Sequence, residues 1–550
     1  MSICLGEALF HQSLTPIGGS LLLSFLVASL PIVTVLVMLG ILRRPAWQAS
    51  LGGLVVGLVM AILPWHMPAG LALDSVTAGI VFALWPVMWI AFNALILYNV
   101  AVVSGRFDAF RTWVLENLPD DRRVVLVVIG FCFGALLEGI AGFGSTIAIT
   151  SSLLILIGWT PLEALTYTLI FDTAPVAYGA LGIPVTVLGV VTHQSDTVLG
   201  AMIGRQLPFL ALILPFYVIA VFGGRRSIAA LWPLLLVAGG SFAAIQFSVS
   251  NFADYRLTDV LASLGSLLIT IGFLQVWRPV PNARYAATLQ AVALPQTTPL
   301  AGVTAARRVA PWQGWIPWLV VSVVVIVWTQ LKISSIGAIQ IHWPGLDNAV
   351  YVTLYHKPYA AIWGFQPLAT GTAILLAAIL TAALFGLSPR AFVGCVAQTW
   401  RQVRLAVLTV SLVMGLAYLM NYAGMTYTLG DAVAHLGVFF TVASAFLGWI
   451  AVALSGSDTS GNALFGNLQV VAAHQLGLNP ILFAATNSSG GVMGKMISPQ
   501  NISTGASVTT LKGQEGLIFS RTFKHSVVLT LVVALITVCQ QYLFPWMIAH

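Results

Sequence analysis

Ten apolar runs, near residues 21–42, 49–64, 76–103, 206–222, 228–249, 258–278, 313–330, 370–386, 403–420 and 525–548, constrain what this chain can fold into. They are 16 to 28 residues long and nearly free of charge, the length a helix needs to cross a bilayer. A transmembrane β-barrel would instead give short stretches of alternating polarity. Of 550 residues, 59% are hydrophobic and 7% charged, and 16 acids with 23 bases cannot cover a water-soluble domain of this size. The expected fold is an all-α polytopic membrane protein.

The first twenty residues lack a basic n-region and a cleavage site, so Leu21 to Leu42 reads as a retained first span. Cys4, Cys132, Cys395 and Cys539 follow no metal-ligand or disulfide spacing and read as small apolar residues. The formal charge of +7 fits basic cytoplasmic loops better than a nucleic-acid partner. Arg43/Arg44, Arg106/Arg111/Arg122/Arg123, Arg225/Arg226, Arg278/Arg284/Arg307/Arg308, Arg390/Arg401/Arg404 and Lys512/Arg521/Lys524 make 18 of the 23 bases. Threading the spans puts all of these loops on one side. By the positive-inside rule that side is cytoplasmic, with both termini outside.

Two stretches break the apolar pattern: Leu137-Glu138-Gly139-Ile140-Ala141-Gly142-Phe143-Gly144-Ser145-Thr146 and Leu454-Ser455-Gly456-Ser457-Asp458-Thr459-Ser460-Gly461-Asn462. Each is followed by a helix-start signal, Gly158-Trp159-Thr160-Pro161 and Gly477-Leu478-Asn479-Pro480. Further breaks follow at Asp172-Thr173-Ala174-Pro175 to Pro184, and at Asn487-Ser488-Ser489-Gly490-Gly491 to Ser498-Pro499-Gln500-Asn501. Backbone interrupted at membrane depth survives only where protein or a wet cavity satisfies it. The loop charges make the first region run inside to outside and the second outside to inside, so the two are expected to be inverted-topology repeats, each with a set of broken or re-entrant helices. The expected organisation is a first membrane half over 1–278 with its repeat core near 97–192, a cytoplasmic linker over 279–312, and a second half over 313–550 with its core near 418–510. Segments 107–118 and 425–436 fit in-plane connectors or plain loops. Residues 332–370 form a long external loop with room for a small hairpin and no evident chemistry.

Four charged residues fall in or beside the breaks: Glu138, Asp172, Asp458 and Lys495. A lone charge at the bilayer centre costs about 3 kcal/mol on insertion scales, so these need water, a cavity or partners. Proton relay or ion coordination is one reading of the carboxylates; a structural pair of Lys495 with Asp458 or Asp172 is the other. Glu163 belongs to a capping box with Thr160 and Pro161 and is kept out of the site. Gly142, Gly144, Ser145, Thr146, Thr173, Ser457, Thr459, Ser460, Asn462, Asn487, Ser488 and Ser489 are candidates for substrate contact; helix-helix bonding is the structural alternative for each. Helices restarting after the breaks present free N–H groups suited to a carboxylate, and with Lys495 they favour a small hydroxylated monoanion. Gly490 to Met496 fails as a phosphate loop, since Ser489 stands where its first Gly belongs and Met496 replaces the Ser/Thr. No zinc or nucleophile-elbow motif occurs, so no metal or cofactor is expected.

The strings Leu136 to Gly144, Thr173 to Pro184, Gly456 to Gly466 and Gly490 to Gln500, with Leu84-Trp85-Pro86 and Asn421-Tyr422-Ala423-Gly424, resemble the bacterial lactate/glycolate permeases of the ion transporter superfamily. The resemblance spans nearly the whole chain. It implies about 12 to 14 spans in a bacterial inner membrane and proton-coupled uptake of L-lactate, with D-lactate and glycolate as related substrates. The partners are then the anion, protons and lipid, with no nucleic acid. Glu138, Asp172 and Asp458 are expected to carry protons, and Lys495 with the hydroxyl and amide groups to bind substrate. One position departs from the family pattern: Asp172 stands where Asn usually precedes Thr-Ala-Pro, and it would either alter the coupling or compensate Lys495. A membrane-embedded enzyme and a passive monocarboxylate channel are the competing classes.

Overall fold

The computed structural model describes residues 9–140, 142, 145–156, 158–280, 282–286, 309–507 and 509–550. Among them, nine helices are long and apolar enough to cross a membrane, or ten if the bent pair Pro161–Phe171 and Val176–Thr192 counts as one span. The fold is all-α and polytopic, as expected. The segment Asp196–Phe252 has 57 residues, about 86 Å of helix at 1.5 Å per residue, far more than one bilayer. Gly224 breaks it with φ +65° and ψ −171°, beside Arg225 and Arg226, so it folds back as two passes. That reversal and the shorter apolar helices Ala46–Ile62 and Thr370–Leu384 lie between the strict count and the expected 12 to 14.

The two polar regions have the same order of elements. In the first, the helical segment Arg122–Ile140 precedes a break, then come Ser145–Leu156, Pro161–Phe171, a second break and Gly179–Thr192. In the second, Phe440–Ser455 is followed by Asp458–Gln475, Pro480–Lys495 and Pro499–Ser507. Helix, break, helix, turn, helix, break, helix thus occurs twice. Residues 287–308, most of the expected linker, lie outside the described residues.

The local causes are legible. Thr160 caps Pro161–Phe171 by accepting from the Glu163 amide at 3.3 Å and donates to Glu163 Oε2 at 2.7 Å, so Glu163 is the capping residue expected. Gly456 ends Phe440–Ser455 in the left-handed region at φ +74°, and Ser457 then starts Asp458–Gln475 from an extended conformation, accepting from the Ser460 amide. Helices Phe440–Ser455 and Pro480–Lys495 approach so closely that a Cβ at Gly448 or Gly490 would collide with the carbonyl of Asn487 or Ala445. Such close backbone contact between membrane helices needs small residues.

Residues 332–370 do hold short strands. Ile339–His342 pairs antiparallel with Ile362–Phe365, while Val350–Val352 pairs with Lys357–Pro358 and, in parallel, with Phe10–His11. This layer is pinned to the helices: Trp363 Nε1 donates to the Trp85 carbonyl at 3.3 Å, and His193 Nε2 lies 2.7 Å from Tyr359 Oη. The segment expected as an in-plane connector or loop near 425–436 is a helix, Met425–Ala434, with Met425 to Gly430 buried. Gly430 lies against Val471 and Thr428 donates to the Leu14 carbonyl; this polar contact and close approach draw it inward.

Candidate functional site

Between the two repeated regions lies a cavity of about 70 Å³, lined by Glu138, Gly142, Val176, Gly179, Ala180, Ile183, Pro184, Gly456, Ser457, Asp458, Thr459, Lys495, Gln500 and Asn501. One water needs roughly 10–15 Å³, so the space suits a polar solute of a few heavy atoms. Both regions supply its walls, and every contributing segment is at or next to a helix break.

At its edge one cation is shared by two acids. Lys495 Nζ donates to Glu138 Oε1 at 2.6 Å and lies 2.9 Å from Asp172 Oδ2, the second an ion contact off hydrogen-bond alignment. Lys495 ends its helix, where the C-terminal dipole favours a cation. Glu138 is two residues short of the first break, and Asp172 caps the end of Pro161–Phe171. All three side chains are buried. The buried partner of Lys495 is therefore Asp172 together with Glu138, and not Asp458. The Asp172 carboxylate thus stands as an ion partner of the lysine.

Asp458 is held separately. Its Oδ2 accepts from Ser488 Oγ at 2.6 Å and from Asn462 Nδ2 at 3.2 Å, while its Oδ1 has no hydrogen-bond partner. Asn462 also donates to the Pro184 carbonyl at 3.2 Å and accepts from Asn487 at 2.9 Å, and Gln469 donates to Asn487 Oδ1 at 3.1 Å. Asn462, Asn487 and Ser488 thus hold Asp458 from behind the cavity wall. Asp458 is at the N-terminal end of its helix, where a negative charge is favoured.

The other expected ligands divide by position. Gly142, Ser457 and Thr459 line the cavity. Ser460 lines a second cavity of about 240 Å³, which shares Ser457 and Gln500 with the first and extends to Pro45, Trp47 and Gln402. Thr173, in the turn just past Pro161–Phe171, donates to the Ile170 carbonyl of that helix, at 2.7 Å. Thr146 and Ser489 are buried with hydroxyls that have no hydrogen-bond partner, and neither lines the cavity. Ser145 begins its helix, and Gly144 lies outside the described residues.

Gln500 and Asn501 are site residues that the sequence reading did not select. Asn501 Nδ2 donates to the carbonyls of Gly456 and Lys495, at 3.1 and 3.3 Å, joining the two breaks of the second region. Their signal was the Ser498-Pro499 break itself. The first region contributes strained backbone instead: Ala180 and Leu181 sit in the left-handed region at φ +46° and +59°, followed by Gly182 at +76°. For residues with a Cβ this costs about 1–2 kcal/mol each, and such strain gathers where a site needs a fixed backbone.

The opposite end of the interface is closed. Helices Gly179–Thr192 and Asp458–Gln475 run together away from the cavity, and a Cβ at Gly466 would lie 2.6 Å from Leu188 Cδ1. Asn467 donates to Asn421 Oδ1 at 3.0 Å, and Asn421 donates to the Val191 carbonyl at 3.2 Å. The site is thus open toward Trp47 and sealed toward His193.

The family model for L-lactate permease matches residues 24–544. The chain belongs to the L-lactate permease family. It is 40% identical over 554 residues to the L-lactate permease of Escherichia coli K12, covering 98% of this chain and 100% of that protein. It is 39% identical over 556 residues to the glycolate permease GlcA of the same organism, covering 98% and 99%. The Neisseria gonorrhoeae antimetabolite efflux pump MtrF matches at 13% identity and a TM-score of 0.48, over 92% of this chain and 97% of that one. This family member is a multi-pass bacterial membrane protein.

Proposed function

We propose that this permease carries L-lactate, with D-lactate and glycolate as related substrates, into the cell together with protons across the inner membrane, both termini facing outward. The observation that carries this reading is the single lysine shared by Glu138 and Asp172 at a cavity built from both repeated regions. Their opposite threading by the loop charges makes them inverted repeats, an arrangement suited to alternating access around a midplane site.

The coupling follows from charge. A substrate carboxylate reaching Lys495 must displace Glu138 or Asp172, and a buried carboxylate left unpaired costs several kcal/mol. The displaced acid therefore takes up a proton. One monoanion and one proton enter the site together, and its net charge is unchanged. Gln500, Asn501, Ser457 and Thr459 supply donors and acceptors for the 2-hydroxyl. Asp458, facing the same cavity, is the other acid that carries this proton on its way between water and the triad. The open side leads to Pro45 and Gln402, beside the Arg43/Arg44 and Arg401/Arg404 clusters, so the state is inward-facing by the positive-inside rule.

In weakly buffered proteoliposomes without an imposed gradient, adding L-lactate outside is expected to raise the external pH. Glycolate and D-lactate should compete with labelled L-lactate better than acetate, which lacks the hydroxyl. Labelled lactate entry without external alkalinisation would contradict symport and favour a passive channel.

A further inference from the structure

Asp259 is a buried acid for which the coupling described above has no use. It is the second residue of helix Thr258–Val276, it has no solvent exposure, and neither carboxyl oxygen has a hydrogen-bond partner. Its Cβ lies 2.8 Å from where a Cβ on Gly139 would stand, so only glycine beside Glu138 admits it. The charged groups near enough to act on it are Glu138, Asp172 and Lys495, and its own charge would act on the Tyr178 phenol, which donates to the Gly200 carbonyl. One lysine thus serves three neighbouring acids, and it contacts only two. A bare carboxylate there would pay the cost of an unpaired buried ion, which a proton removes. The first-turn position at a helix N-terminus favours an acid electrostatically, yet no amide of that turn bonds to it.

We propose that Asp259 is a further proton-holding residue, a neutral carboxyl beside the Lys495 triad that exchanges its proton with Glu138 as the triad opens. The Asp259 proton joins the carboxylate that Lys495 has released while a proton from the cavity enters by way of Glu138 and returns to Asp259, so one proton is gained for each substrate anion and no bare carboxylate remains. Asp259 does not line the cavity, so protons to and from water pass through Glu138, which does. The proposal rests on the symport reading and deepens it.

The test compares wild-type protein and Asp259→Asn in proteoliposomes. The variant is expected to keep lactate exchange, measured by counterflow, within a few-fold of wild type. It should lose accumulation driven by a pH gradient, and its exchange rate should lose most of its pH dependence. The infrared carbonyl band of a protonated carboxylic acid should be present in wild type, weaker in Asp259→Asn, and shifted by lactate. If wild type accumulates lactate and Asp259→Asn does so equally, with the same pH profile, Asp259 carries no proton and the symport reading stands. If wild type itself shows no gradient-driven accumulation, the symport reading falls. Should Asp259→Asn not fold, Asp259→Glu supplies the measurement: a displaced pH profile supports the proposal and an unchanged one overturns it.

Discussion

Lys495→Met is expected to abolish lactate uptake and exchange alike, and to destabilise the protein by about 3–5 kcal/mol, the usual cost of removing one partner from a buried ion pair. The effect is large because the lysine serves two acids at once, with Nζ 2.6 Å from Glu138 and 2.9 Å from Asp172. Its loss leaves both carboxylates buried without a cation, and substrate without its charged ligand. Thermal unfolding in detergent measures the first consequence and counterflow the second. The triple variant Lys495→Met, Glu138→Gln, Asp172→Asn removes the uncompensated charge and should recover most of the stability with none of the transport. Recovery of transport in the triple variant would mean that the triad is structural and that the substrate binds elsewhere.

Asp458→Asn is expected to separate exchange from accumulation. The amide keeps the shape of the side chain and can still accept from Ser488 or Asn462 through its oxygen, so folding should change little. It cannot take a proton. Counterflow of labelled lactate should persist while uphill uptake falls to equilibration. Glu138→Gln should do the same, with weaker binding as well, because Glu138 also positions Lys495. Intact accumulation in both variants would remove these two acids from proton coupling.

The spans, the breaks and the Thr160 cap were legible because each follows from local sequence: apolar length, glycine and hydroxyl density, and a capping box. The breaks also marked the walls of the site. What could not be read were choices made in three dimensions. Lys495 is 357 residues from Glu138 in the chain, and spacing says nothing of which acid it meets; Asp172 and Asp458 were equal candidates. Asp259 opens an ordinary apolar run, where an acid reads as a helix start, and only its contact with Gly139 brings it to the triad. Composition marks Asn462, Asn487 and Ser488 alike, yet Asn462 and Ser488 donate to Asp458 while Asn487 donates to Asn462. The pairing of Phe10 with Val350 is equally non-local, whereas Ile339–His342 and Ile362–Phe365 pair within the segment that had room for a hairpin.

If one site binds the monocarboxylate and the proton together, a proton gradient must drive lactate uphill. Proteoliposomes with an interior more alkaline by about one pH unit hold a driving force of about 1.4 kcal/mol per proton. With labelled L-lactate outside, one-to-one symport predicts about tenfold internal accumulation, abolished by a protonophore. Lactate that merely equilibrates across the membrane, at a level indifferent to the gradient, would mean that the anion and the proton do not move together.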